Sequence, residues 1–260
     1  MNSQALAKIR TGKPFIGTWL SIGSPVVAEL ASASGFDWLL FDLEHGAHSE
    51  AVLLSNLQAI KGSSAAAIVR VGAPHPDLIL RALDWGSAGI MLPHVESAAE
   101  AAVCLQAMHY PPRGRRGISR SARVYEYGLR AMPAAADLPA PALFAQIETL
   151  RAVENVKEIA AVDGVDVLFV GPADLSFDLS VRRSDDEGAY DDCLEKVAAA
   201  AHASGKQVGI LVRSLEDVPA LRSRGFTHFA VESDIGILRS RYQQALKAAR
   251  ELCGTQKSGL

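Results

Sequence analysis

The sequence is short of cysteine, of excess basic charge and of long apolar runs, and each shortage closes off a class of protein. Cys104, Cys193 and Cys253 are the only cysteines in 260 residues. They lie far apart, match no metal or redox spacing, and read as free thiols on helices, which suits a reducing compartment. The formal net charge is −3, so no electrostatic footprint for nucleic acid or another polyanion is present. No stretch approaches the roughly 20 apolar residues needed to span a bilayer. Residues 1–10 lack the apolar core of a signal peptide. The expectation is a cytoplasmic protein with neither a membrane nor a nucleic-acid partner. Also missing are a Gly-rich dinucleotide fingerprint and a phosphate-binding loop after the first strand. One local departure is the basic cluster Arg113, Arg115, Arg116, Arg120 and Arg123. It reads as a solvated loop or as an anion-handling or subunit-contact loop.

What is present is a regular alternation. Hydrophobic residues make up 49% and charged residues 21% of the chain, ordinary values for a globular protein. A chain this long buries about three quarters of its unfolded surface, so a full core needs no disulfides. Apolar β-type runs at 15–20, 36–41, 66–71, 89–92, 143–147, 165–170, 207–212 and 228–231 are each followed by a helical segment. Those helices are expected at 25–34, 49–60, from 76 to Gly86, from a capping box at Ser97 and Glu100, at 150–161, 190–204, 214–223 and 235–252. Residues 110–141 read as a long irregular stretch, 176–187 as a polar loop, and 254–260 as a frayed end. The strands are near-continuous apolar runs, the pattern of a parallel sheet covered on both faces. Eight βα units predict an α/β fold: one TIM-type (β/α)8 barrel over 1–260 without a domain boundary. A doubly wound open sheet is the alternative.

In such a barrel the strand ends share one open face, and catalytic residues come from several of them. Glu148 and Asp174 each stand just past an apolar strand. Two carboxylates there could ligate one divalent cation; the plain alternative is that each caps the following helix. Arg70 ends an apolar strand, where a guanidinium calls for an anion. That anion is a substrate oxygen or a salt-bridge partner, Asp42 or Asp84. His45 follows Asp42 by three residues, so Asp42 could orient the imidazole as a base; otherwise His45 is a loop histidine. Gly171 and Ala173 flank Pro172, where small residues admit a ligand close to the backbone or simply make a turn. Trp19 either floors a pocket or fills the core. Glu44, His94, Arg213, Glu232 and Asp234 are further polar residues at strand ends, His94 being the histidine to watch outside the main set.

Taken together, several segments resemble the HpcH/HpaI aldolase/citrate lyase family. They are Gly17-Thr18-Trp19, Phe41-Asp42-Leu43-Glu44-His45-Gly46, Val69-Arg70-Val71, the run from Leu83 to Pro93, Tyr110-Pro111-Pro112-Arg113-Gly114, Gln146-Ile147-Glu148 and Gly171-Pro172-Ala173-Asp174-Leu175-Ser176. The resemblance spans roughly residues 13–245 in consistent order. It implies that Glu148 and Asp174 hold a divalent metal cation (Mg²⁺, Mn²⁺ or Co²⁺) chelated by pyruvate or a longer 2-keto acid. Arg70 then stabilises an enolate oxygen. His45, supported by Asp42, moves protons. Trp19, Gln146, Gly171, Pro172 and Ala173 border the substrate, and Asp84 supports the site or a subunit contact. It also implies a homo-oligomer, a hexamer built as a trimer of dimers, with the 235–252 helix exchanged between neighbours.

The expected reaction is metal-dependent cleavage of a 4-hydroxy-2-keto acid to pyruvate and an aldehyde, in sugar-acid or aromatic breakdown. Oxaloacetate decarboxylation, or an enolate condensation of the macrophomate-synthase or citrate-forming kind, uses the same electron sink. A non-catalytic 2-keto-acid-binding protein is the remaining reading. No lysine stands at an active-face strand end, which argues against Schiff-base chemistry. Leu43 in place of glycine, His94, Glu232 and the loop from Gly117 to Gly128 depart from better-known family aldolases, and these departures touch the aldehyde end.

Overall fold

A computed structural model describes residues 3–134, 137–182, 188–212 and 214–254. Eight strands form a closed barrel in sequence order: Phe15–Leu20 (β1), Trp38–Asp42 (β2), Ala66–Arg70 (β3), Gly89–Leu92 (β4), Ala142–Ile147 (β5), Val165–Val170 (β6), Gln207–Val212 (β7) and His228–Ser233 (β8). Every neighbouring pair is parallel. All strand C-terminal ends therefore open on one face, and the expected TIM-type barrel is the fold.

Two-residue periodicity divides the strand side chains between two cores. Trp38 and Leu40 point inward with Phe15, Trp19, Ile68, Met91, Phe144 and Phe169. Leu39 and Phe41 point outward to meet the helices, as do Val69 and Ile90. Both sets are buried, which is why the runs read as continuously apolar. Trp38 fits inside only because Gly17 lies beside it: a Cβ on Gly17 would stand 2.3 Å from the indole.

The first half of the chain follows its sequence signals closely. Helices Ser3–Ile9 (α1), Pro25–Ala33 (α2), Glu50–Ala59 (α3), Pro76–Asp84 (α4) and Ala98–Met108 (α5) precede or follow β1 to β4. Ser97 and Glu100 form the expected reciprocal capping box on α5. The first helix was not expected; Leu6 and Ile9 are buried with Phe15 in the inner core and close the barrel floor.

Later segments bring corrections. The helix expected over 150–161 is two pieces, Leu150–Glu154 (α6) and Val156–Ala160 (α7). The break falls at Asn155, whose amide donates to the Glu96 carbonyl at 2.8 Å. The polar stretch expected as a loop from 176 begins inside a helix, Pro172–Arg182 (α8), which buries Leu175 and Leu179 one turn apart. The rest of that stretch, 183–187, lies outside the described residues, as do Arg213 and the tail from 255. Ala189–Ala203 (α9) follows. After β7, Ser214 caps a short 3-10 turn, Leu215–Asp217, before Val218–Ser223 (α10).

Within 110–141 the basic cluster is partly structural. Arg123 donates to the carbonyls of Trp85, the C-cap of α4, and of Leu57, in the last turn of α3, a recognised way to satisfy helix C-termini. Arg116 is buried against Asp84 at 2.5 Å and lies over the Tyr110 ring at 4.6 Å.

The last helix, Asp234–Leu252 (α11), departs from the barrel: among its described residues only Asp234 is buried. The Asp234 carboxylate accepts from the backbone N–H groups of Ser21 and Ile22 at 2.9 and 3.0 Å. It thereby fastens the β1 loop to the start of α11. Among the described residues, no helix is long and apolar enough to cross a membrane.

Candidate active site

Register builds the first half of the site. Asp42 and Arg70 are direct partners across β2 and β3, so their side chains meet. Arg70 Nε and Nη2 donate to the two Asp42 carboxylate oxygens at 2.9 and 2.7 Å. Its Nη1 lies 2.9 Å from Glu44 Oε2. These contacts engage three of the five N–H groups of a guanidinium. The guanidinium also sits 4.7 Å from the Trp19 ring centroid, a cation–π contact, while Trp19 Nε1 donates to Asp42 at 3.2 Å. Trp19 thus stands between the inner core and Arg70, floor and filler at once. Burial pushes the Asp42 carboxyl up, but the Arg70 hydrogen bonds and charge outweigh it and hold the group below its ordinary value.

The expected Asp42–imidazole bond is not formed. Asp42 Oδ1 instead accepts the backbone N–H groups of Glu44 and His45 at 3.0 and 3.2 Å, shaping the turn after β2. The His45 ring is exposed on the open face, 3.9 Å from Glu44. The physical reason is the register: Arg70 already occupies both Asp42 oxygens.

The second half of the site is acidic. Glu148, just past β5, is 1% exposed. It does not cap the following helix, because Thr149 performs that function, accepting from Ala152 N–H. Glu148 Oε1 accepts the His94 backbone N–H at 2.7 Å, and Oε2 accepts from the Gln146 side-chain amide. Burial pushes the Glu148 carboxyl up; the His94 N–H and ring pull it down, and the charges of Asp174 and Glu44 raise it further. Asp174 lies in the first turn of α8. Gly171 and Pro172 are buried between them, with Ala173 exposed.

Strand-end position marks His94 and Glu44, His94 with the expectation of a structural or surface residue; the structure makes these two the join between the halves. Glu44 reaches Arg70 with one oxygen and His94 Nε2 with the other, at 3.3 Å. His94 Nδ1 lies 3.1 Å from Glu148 Oε1. A continuous polar chain therefore crosses the open face: Asp42, Arg70, Glu44, His94, Glu148, Gln146. Asp84 is not part of it. Helix α4 runs back down the barrel from the open face, and Asp84 ends it at the far end, paired with Arg116.

A parallel barrel whose strand ends gather a buried guanidinium, a histidine and confined carboxylates is the layout of a barrel enzyme, and the enzyme class is carbon–carbon lyase. The chain belongs to the HpcH/HpaI aldolase/citrate lyase family, whose profile matches residues 16–240. It is similar to the 5-keto-4-deoxy-D-glucarate aldolase of Klebsiella pneumoniae, 36% identical over 236 residues, which are 91% of this chain and 92% of that one. Among solved structures, an HpcH/HpaI aldolase/citrate lyase family protein from Burkholderia cenocepacia superposes with a TM-score of 0.87. It is 33% identical, over 96% of this chain and 100% of the other. Macrophomate synthase follows the same fold with a TM-score of 0.81 and 27% identity, over 95% of this chain and 89% of that one.

Proposed function

We propose that this chain, as one barrel domain, is a divalent-cation-dependent aldolase that cleaves a 4-hydroxy-2-keto acid to pyruvate and an aldehyde. The observation that carries the reading is the shared face on which buried Arg70 and Glu148 are linked side chain by side chain. Three features of the pocket fit a cation there. Glu148 is buried beside two further carboxylates. The Gln146 side-chain oxygen is buried without a hydrogen-bond partner. Gly171 leaves room that a Cβ would fill, 2.5 Å from Glu148 Oε2. Among the described residues no group of three or more His, Cys, Asp or Glu forms a ready cage. A site of one or two carboxylates completed by water and substrate is how Mg²⁺ is held.

Glu148 and Asp174 would hold the ion, which when bound supplies a Lewis acid for the substrate's carboxylate and keto oxygens. Arg70, fixed by Asp42 and Glu44, directs its remaining N–H groups at the enolate oxygen, a preorganised electrostatic contribution. His45, exposed on the same face, takes the proton of the C4 hydroxyl as the C3–C4 bond breaks and the aldehyde leaves. The enolate carbon then gains a proton to give pyruvate. Trp19, Gln146 and the backbone of Gly171, Pro172 and Ala173 border the ligand. Asp84, at the far end of its own barrel, serves a subunit contact.

The test is pyruvate release from a panel of 4-hydroxy-2-keto acids and oxaloacetate, headed by 5-keto-4-deoxy-D-glucarate, the substrate named for the Klebsiella relative. Release is expected with Mn²⁺, Mg²⁺ or Co²⁺, to fall to background after thorough chelation, and to return with added ion. Activity untouched by metal removal would defeat the reading. The likeness to macrophomate synthase supports a second one, in which the same enolate arises by oxaloacetate decarboxylation or is captured by another acceptor. Pyruvate without an aldehyde co-product would favour it.

The last helix supports a homo-oligomer. Tyr242, Leu246 and Leu252 are exposed along α11, while Ile16 of β1 and Val26 and Leu30 of α2 are exposed on the barrel wall. A second copy's α11 laid on that wall covers both surfaces. Light scattering should give a multiple of 27.6 kDa, and Tyr242→Asp with Leu246→Asp should lower it towards a single chain. A wild type that runs as a monomer at micromolar concentration would exclude the exchange.

A further inference from the structure

A ligand that touches both Arg70 on β3 and Glu148 just past β5 must pass over the end of β4, and the residue there is His94. Its backbone is left-handed, with φ 51°. A non-glycine residue in that region is strained and persists only where its surroundings enforce it. Here the conformation accompanies two contacts to one oxygen: the His94 N–H at 2.7 Å and Nδ1 at 3.1 Å from Glu148 Oε1. Nε2 meanwhile faces Glu44 Oε1 at 3.3 Å. The ring therefore lies between two carboxylates that would otherwise repel across the pocket. Glu44 cannot turn away without releasing Arg70.

We infer that His94 is the positioning residue for Glu148, holding that carboxylate through Nδ1 in the orientation that receives the divalent cation. This rests on the cation-dependent reading above. Partners that hydrogen-bond a ligating group commonly change metal affinity by 10–100-fold when removed. The two ring nitrogens have separable roles. Nδ1 orients the ligand; Nε2 ties it to the Glu44–Arg70 pair.

Mn²⁺ titration followed by the electron paramagnetic resonance of the free ion tests this without any turnover. His94→Ala should weaken Mn²⁺ binding at least tenfold. His94→Asn, whose amide nitrogen falls where Nδ1 was, should recover most of that loss. His94→Gln, which reaches toward Glu44 as Nε2 does, should not. Thermal melting without metal should place all three variants near the wild type, since His94 is 56% exposed at its side chain. Unchanged Mn²⁺ affinity in His94→Ala overturns the assignment, and so does equal weakening in Ala, Asn and Gln. A wild type that binds no Mn²⁺ instead removes the cation-dependent reading itself and this inference with it.

Discussion

Arg70→Ala is expected to reduce pyruvate release by at least 10²–10³-fold in kcat, the typical loss when one oxyanion-stabilising donor is removed. Its side chain is 7% exposed and satisfies two acids at once, so the substitution also affects stability. Removing one member of a buried ion pair typically costs about 3–5 kcal/mol. The pH dependence separates the two effects. In the wild type the Asp42 carboxyl is held low. Its stabilising contribution is present above the ordinary carboxylate range and is lost as pH falls through the depressed value. Without Arg70 burial still raises the Asp42 carboxyl, while the Glu44 backbone N–H and the Trp19 indole N–H still lower it. Loss of the Arg70 contributions leaves the Asp42 carboxyl higher in the variant than in the wild type, so the variant's melting deficit should be full at neutral pH and should narrow as pH falls through the carboxylate range. Arg70→Lys should recover part of the stability but little of the rate, because an ammonium cannot serve Asp42 through two nitrogens and Glu44 through a third. A variant lacking Arg70 that keeps kcat within tenfold would remove it from the chemistry.

The barrel was legible because burial on both sides makes each strand a contiguous apolar run, and because Ser97 and Glu100 or Pro76 and Gly86 mark helix ends by local chemistry. What was not legible depends on which strands lie side by side. Asp42 and His45 are three residues apart, so proximity in sequence suggested a pair. The register instead gives Asp42 to Arg70, 28 positions away, a pairing the sequence offers only as one of several partners for that guanidinium. The linking role of His94 was hidden for the same reason, since its partners Glu44 and Glu148 come from two other strand ends. Asp84 shows the converse. A helix that leaves the open face must end at the opposite one, so its distance from Glu148 follows from topology alone once the βα units are counted. Helix α8 was missed because one wall of it faces water, and its polar letters outweighed Leu175 and Leu179.

Gly171→Ala should abolish tight Mn²⁺ binding and, with it, pyruvate release. The added methyl carbon would lie 2.5 Å from Glu148 Oε2, 2.9 Å from Gln146 Nε2 and 2.9 Å from Glu148 Cβ. None of these atoms can yield cheaply. Glu148 is held at one oxygen by the His94 N–H and at the other by Gln146, and both side chains are buried. The methyl must therefore displace the carboxylate or push β6 away from β5, whose ladder carries the Gly171 N–H to the Ile147 carbonyl at 3.2 Å. Overpacking of this kind typically costs about 1–3 kcal/mol, which the barrel should survive, so a folded protein with a ruined carboxylate is the expected product. Circular dichroism should show the wild-type content of helix and strand, the melting temperature should fall by several degrees, and Mn²⁺ affinity should drop by two orders of magnitude or more. Retention of wild-type Mn²⁺ affinity in a folded Gly171→Ala protein would mean that the cation is held away from Glu148. The arrangement of buried acids on the open face would then need another explanation.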